Sequence, residues 1–206
     1  MFPAMETSLV TRSPSALAAP AFSLEQLRIK RPFWTLFGRT FRVFGPDGVQ
    51  VMYAKHPMRW RDTFKVFTDD SRTQLLLSIE AHKAIAMNMT YSVLDGQTGE
   101  LVGTLRKRGL KSIVRDVWDI IDASEQPVGL VTEDGNSVLR RFFPILLGKW
   151  HVELGGQPVA HLRQHFRFFV KEFELDLGAG KGRCDPRLAI GAALLALTSE
   201  ISREQR

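Results

Sequence analysis

The stretch Arg187-Leu-Ala-Ile-Gly-Ala-Ala-Leu-Leu-Ala-Leu-Thr198 is apolar on every side. Ala189, Gly191, Ala192, Ala193 and Ala196 are small, and Leu188, Ile190, Leu194, Leu195 and Leu197 fill the rest, so a helix here offers no face to water. Such a helix is buried in protein or in lipid, and its length decides which. About eleven residues at ~1.5 Å each make ~17 Å, against a bilayer core of ~30 Å that needs ~20 residues. Burial in protein is expected, with no transmembrane span. Asp185 is a good N-cap and Pro186 suits the first helical position, where a missing N–H costs nothing, so the helix is predicted over about 186–202.

A lone helix that needs apolar cover all round implies a wall around it. The rest of the chain supplies one. Thr40–Phe44 and Val49–Ala54 flank Gly45-Pro-Asp-Gly48, and Thr63–Phe67 and Gln74–Ile79 flank Thr68-Asp-Asp-Ser-Arg72. Thr90–Leu94 and Leu101–Leu105 flank Asp95-Gly-Gln-Thr-Gly99, and Asp116–Ile121 and Val128–Thr132 flank Asp122-Ala-Ser-Glu-Gln126. Trp150–Leu154 and Pro158–Arg163 flank Gly155-Gly156. Gly, Asp and Asn tolerate the φ values that tight turns demand, so these are five hairpins. A lead strand at Leu27–Lys30 and a last one at Phe168–Asp176 bring the expected total to about twelve, enough to close and so remove open edges.

Alternation shows which face is wet. Trp150, Val152 and Leu154 oppose His151 and Glu153; Ala160 and Leu162 oppose His161 and Arg163; Phe173, Leu175 and Leu177 oppose Glu172, Glu174 and Asp176. One apolar and one polar face per strand is the period-2 signature. A barrel that spans a membrane turns its apolar face to lipid. With an apolar helix available to fill the lumen, the expected fold is mainly β: a closed antiparallel barrel of about twelve strands, apolar inside, around a central C-terminal helix.

The 206 residues suit one domain, placed at 24–206 behind a tail at 1–23 that carries Pro3, Pro14 and Pro20 and is expected to be disordered. No basic segment leads into a long apolar run, so no secretory signal is expected. One cysteine, Cys184, excludes an intrachain disulfide and fits a reducing, cytoplasmic compartment. A net charge of +6 and a pI near 9.8 favour anionic partners.

The ending Phe168-Phe-Val-Lys-Glu-Phe-Glu-Leu-Asp-Leu177, followed by Leu188–Leu197, resembles the close of phospholipid scramblases and LURP-one-related proteins, members of the tubby C-terminal-like superfamily. Arg106-Lys-Arg-Gly-Leu-Lys-Ser-Ile-Val-Arg-Asp-Val-Trp-Asp-Ile120 and Leu24-Glu-Gln-Leu-Arg-Ile-Lys30 resemble the same group. The resemblance implies a twelve-stranded barrel threaded by its C-terminal helix. It also implies a non-enzymatic protein that binds anionic phospholipid or phosphoinositide, peripheral at a membrane. The alternative is a cytoplasmic interaction module of the LURP-one-related type, with a protein partner and no lipid activity. The early acidic positions of the calcium segment of eukaryotic scramblases appear here as His165, Arg167 and Phe169, with only Glu172, Glu174 and Asp176 acidic nearby, and their long proline-rich arm and cysteine cluster are missing. The chain is thus closer to the LURP-one-related or prokaryotic tubby-like members.

Chemistry is sparse. His161 and His165 on one strand stand ~13 Å apart, too far for one metal ion, and Glu172, Glu174 and Asp176 project in parallel rather than converging as calcium requires. Gly178-Ala-Gly-Lys-Gly182 lacks the spacing of a phosphate loop and reads as a connection. Cys184 in a turn is expected to be inert, and no catalytic constellation, metal site or cofactor is expected. The basic clusters are more telling: Arg28, Lys30 and Arg31; Arg59, Arg61 and Lys65; and, densest, Arg106, Lys107, Arg108, Lys111 and Arg115. The last is taken as the candidate lipid or anion site, projecting from one end of the barrel. Nucleic acid is disfavoured, because aromatics do not interleave with that run as a stacking platform requires.

Overall fold

The computed structural model describes residues 19–32, 39–56, 63–85, 88–108, 117–134, 147–165 and 170–204. It contains twelve strands: β1 (Gln26–Pro32), β2 (Arg39–Phe44), β3 (Gln50–His56), β4 (Phe64–Phe67), β5 (Leu75–Ile85), β6 (Asn88–Asp95), β7 (Leu101–Lys107), β8 (Val117–Ile121), β9 (Pro127–Glu133), β10 (Lys149–Leu154), β11 (Gln157–His165) and β12 (Val170–Asp176). Each pairs antiparallel with its neighbours in sequence, and β1 pairs with β12, so the sheet closes. Helix α1 (Pro186–Glu204) runs through the lumen.

The expected alternation holds. Trp150 and Val152, Ala160 and Leu162, and Phe173 and Leu175 face the core. The helix is buried on every side from Arg187 to Thr198, with Ile190, Leu194 and Ala196 at 0% exposure. Fully burying one such Leu or Ile stabilises by about 1.5–3 kcal/mol, so helix and wall hold each other in place. Gly191 makes room for the wall: a Cβ there would lie 3.2 Å from Val93 Cγ2 and 3.6 Å from Ile79 Cδ1.

The helix gives the barrel two distinct ends. At the near end, where α1 starts, Asp185 caps it: its Oδ1 accepts the Arg187 backbone N–H at 2.9 Å. Arg187 is buried there between Asp185 and Asp95, the last residue of β6. The near end also holds Leu177, whose N–H donates to Glu25 O at 2.7 Å. At the far end, Lys107 closes β7 and reaches Ser199 of α1. All five hairpin turns therefore lie at the near end.

Three details differ from the sequence reading. β5 runs to Ile85 rather than Ile79. Pro20–Ser23, assigned to the tail, forms a 3-10 turn whose Ala21 and Phe22 are buried in the core. Arg31, grouped with exposed Arg28 and half-buried Lys30, shares the inner face with Leu27 and Ile29 and is 8% exposed. The remainder of the 1–23 tail, residues 1–18, lies outside the described residues.

Candidate functional site

The dense basic run begins on β7, where alternation sorts it. Leu105 points inward and is buried, Arg106 points outward, and Lys107 points inward again. Lys107 Nζ donates to Ser199 Oγ at 3.1 Å and lies 5.3 Å from the centre of the Trp118 ring, its cross-strand partner. A cation beside the last turns of a helix also meets the negative end of its dipole. Lys107 therefore serves the fold as well as carrying charge.

Arg106 and Arg108 share one carboxylate. Asp119 sits opposite Arg106 in the β7–β8 register, with Arg106 Nε 3.7 Å from its Oδ2. Arg108 donates to Asp119 Oδ1 from Nε at 2.9 Å and from Nη2 at 2.5 Å. The hydrogen bond to Asp119 holds the Arg108 guanidinium more firmly protonated than usual. Two cations on one anion leave a residual charge of about +1 at this strand end. Lys111 and Arg115, in the connection from β7 to β8, lie outside the described residues.

The other clusters do not join this one in the wall. Lys65 is on β4, and its register runs through Ser78 and Leu94 to Leu101, at the opposite end of β7 from Lys107. It faces Lys55 across β3–β4, and both are exposed. Arg59 and Arg61 lie outside the described residues. Lys30 is 3.9 Å from Glu172 and 4.9 Å from the centre of the Phe44 ring.

Several of the side chains weighed for other chemistry have local partners. His151 contacts Asp134 at 2.5 Å and Glu153 at 3.2 Å, and His165 contacts Glu174 at 2.9 Å. Asp176 accepts the Gly178 N–H at 2.8 Å. Among the described residues, no three His, Cys, Asp or Glu side chains gather where they could hold a metal ion. Burial, reinforced by the Asp185 charge, pushes the Cys184 thiol up to about 12, so it is neutral and a poor nucleophile. Among the described residues, no helix is long and apolar enough to cross a membrane.

The topology also reveals a signal missed in the sequence. The stretches joining strands at the far end are 33–38, 57–63, 86–87, 108–116, 134–148 and 166–169. As sequence, they contain Phe33, Trp34, Phe37, Trp60, Phe142, Phe143, Phe166, Phe168 and Phe169 with Arg59, Arg61, Lys111, Arg115, Arg140, Arg141 and Arg167, against Asp62, Asp116 and Asp134. The five near-end hairpin turns contain no aromatic residue and carry Asp47, Asp69, Asp70, Glu100, Asp122 and Glu125 against Arg72. The two ends thus differ sharply in chemistry. The hairpin pairing, followed around the barrel, would have exposed this contrast had each connection been assigned to an end.

No family model and no curated protein matches the chain. Among solved structures it is similar to an X-ray structure of a protein from Arabidopsis thaliana, AT5G01750, at a TM-score of 0.52 and 12% sequence identity, over 89% of this chain and 96% of that one. At that identity the likeness is one of fold: the closed barrel is shared over nearly the whole length of both chains.

Proposed function

We propose that this barrel is a non-enzymatic peripheral protein that rests its far end on an anionic phospholipid surface, with phosphoinositide headgroups as the strongest ligands. The observation that carries this reading is the contrast between the ends. Aromatic residues suit the headgroup–acyl boundary, and each Lys or Arg near an anionic leaflet contributes about 1 kcal/mol, so several suffice for reversible attachment. Arg106, Lys107 and Arg108 stand at that end, and the sequences of the far-end connections add both chemistries. The end that carries the acidic hairpin turns faces the other way.

Co-sedimentation with vesicles tests it. The wild type should sediment with vesicles rich in anionic lipid at low salt, more strongly when phosphoinositide is included, and not with neutral vesicles. Rising salt should release it, since exposed charges are screened beyond ~8–10 Å. Changing Arg59, Arg61, Arg140 and Arg141 to Ser should abolish sedimentation. Changing Arg72, Lys181 and Arg183 to Ser at the near end should not. Equal loss in both variants would reduce the effect to net charge. Failure of the wild type to sediment would favour the interaction-module reading.

A further inference from the structure

The near end carries a feature the lipid-surface reading does not use. A pocket of about 270 Å³ opens beside the start of α1. Phe22, Leu24, Val159, Leu177, Cys184 and Ala189 give it apolar walls. Phe22, Val159, Leu177 and Ala189 are buried core residues, so the walls are fixed by the fold. A concavity of this kind holds water poorly, because water needs two to four polar partners, and such cavities take apolar guests instead. At ~30 Å³ per water-sized group, and a methylene is similar in size, it accommodates a chain of about eight to ten carbons.

The rim supplies the head-group chemistry. Among the side chains lining the pocket only Lys181 and Glu25 are charged, and they pair with each other at 2.5 Å. Their side chains are 76% and 50% exposed. An exposed pair of this kind contributes little to stability, so a ligand anion can take the place of Glu25 on Lys181 at little cost. Lys181 is also held in place, since it follows the 3-10 turn Gly178–Gly180 and its backbone N–H donates to Gly178 O.

We propose that this pocket binds a single medium-length acyl chain with a carboxylate head, the chain lying against Phe22, Leu177 and Ala189 and the carboxylate on Lys181. The neutral thiol of Cys184 forms part of the apolar wall and plays no chemical role. This site is at the opposite end from the proposed membrane surface and does not rest on that reading.

Calorimetric titration of the full chain with decanoate, decanol and decyltrimethylammonium tests the proposal. Decanoate should bind one to one, decanol about three- to fivefold more weakly, and the cation more weakly than decanol. In methyl NMR spectra decanoate should shift Val159, Leu177 and Ala189 and leave Leu195 unmoved. Lys181→Glu, at an exposed position, should lower the melting temperature only slightly and erase the preference for decanoate over decanol. Cys184→Phe should fill the pocket and abolish binding; if it does not fold, Lys181→Glu and the wild-type NMR map still decide. Absence of saturable decanoate binding, methyl shifts elsewhere in the barrel, or an undiminished preference in Lys181→Glu would overturn it.

Discussion

Arg187 Nη1 donates to Asp95 Oδ2 at 2.8 Å, joining the first turn of the central helix to the end of β6, and the two side chains are only 5% and 2% exposed. A buried cation at a helix N-terminus opposes the helix dipole and is tolerated only with strong compensation. Asp185 supplies part of it, with its Oδ2 2.6 Å from Arg187 Nη2. Asp95 supplies the part that comes from the wall, while its Oδ1 accepts the backbone N–H groups of Gln97 and Thr98, each at 2.9 Å. One carboxylate therefore closes the β6–β7 turn and fixes the helix within the barrel.

Asp95→Asn should destabilise the protein by about 3 kcal/mol, because it leaves the buried Arg187 with one anion instead of two. Burial raises the Asp95 carboxyl, but the Thr98 and Gln97 N–H groups and Arg187 outweigh it and hold it below its ordinary value. A carboxyl lowered on folding gives stability that is full above its unfolded value near 3.9 and fades as pH falls through the folded value. The stability gap between wild type and Asp95→Asn should thus be constant above about pH 5 and shrink below about pH 4. Urea titrations across that range measure it; a gap that widens in acid would contradict the assignment.

Gly129 on β9 has no space for a side chain, since a Cβ there would lie 1.9 Å from Glu153 O of the adjoining strand. Gly129→Ala must push β9 and β10 apart and should cost about 3 kcal/mol or more. Gly156 has open space and a φ of +75°, so Gly156→Ala should cost only about 1 kcal/mol, through backbone strain. Thermal melts of the two variants should rank them in that order. Gly191→Leu, pressing on Val93, should cost about 1–3 kcal/mol.

Much of this was legible because burial leaves a strong mark on composition. Leu188–Leu197 has no polar face, and only the inside of a closed wall accepts such a helix. Trp150, His151, Val152 and Glu153 alternate cleanly, so their faces could be read without knowing their neighbours. The candidate site was less legible. The turn signals end the strand holding Arg106 and Lys107 at Leu105, so the alternation that turns Lys107 inward lies beyond it; Arg31 likewise falls one residue past a lead strand that reads to Lys30. The tie between Arg108 and Asp119 depends on the β7–β8 register, and closure of the barrel sets that register rather than any local motif. Which connections share an end follows from topology alone.

Calcium should have no effect on folding or on vesicle binding. Glu172 lies near Lys30, Glu174 holds His165, and Asp176 binds the Gly178 N–H, so each carboxylate is directed to a different neighbour. Melting temperatures in calcium and in chelator should agree, and sedimentation should be unchanged. A calcium-dependent shift lost in Asp176→Asn would show that these carboxylates can converge after all.

Asp119→Asn should make the protein bind anionic vesicles more tightly. Asp119 is 8% exposed and serves both Arg106 and Arg108, whose side chains are 45% and 36% exposed. Its charge offsets one of the two where the far end would meet a membrane. The Asn side chain keeps the size and can still accept from Arg108, so the cost in stability should be modest, about 1–2 kcal/mol. One additional uncompensated charge near an anionic leaflet is worth about 1 kcal/mol, or roughly fivefold in affinity. That gain should appear at low salt and disappear at high salt. Arg106→Ser combined with Arg108→Ser takes this strand end from about +1 to −1 and should weaken affinity by about twice as much in free energy, roughly 25-fold. Should Asp119→Asn fold normally and bind no better than wild type, the strand end at Arg106–Arg108 is not in contact with the lipid. Attachment would then have to run through a different face of the barrel.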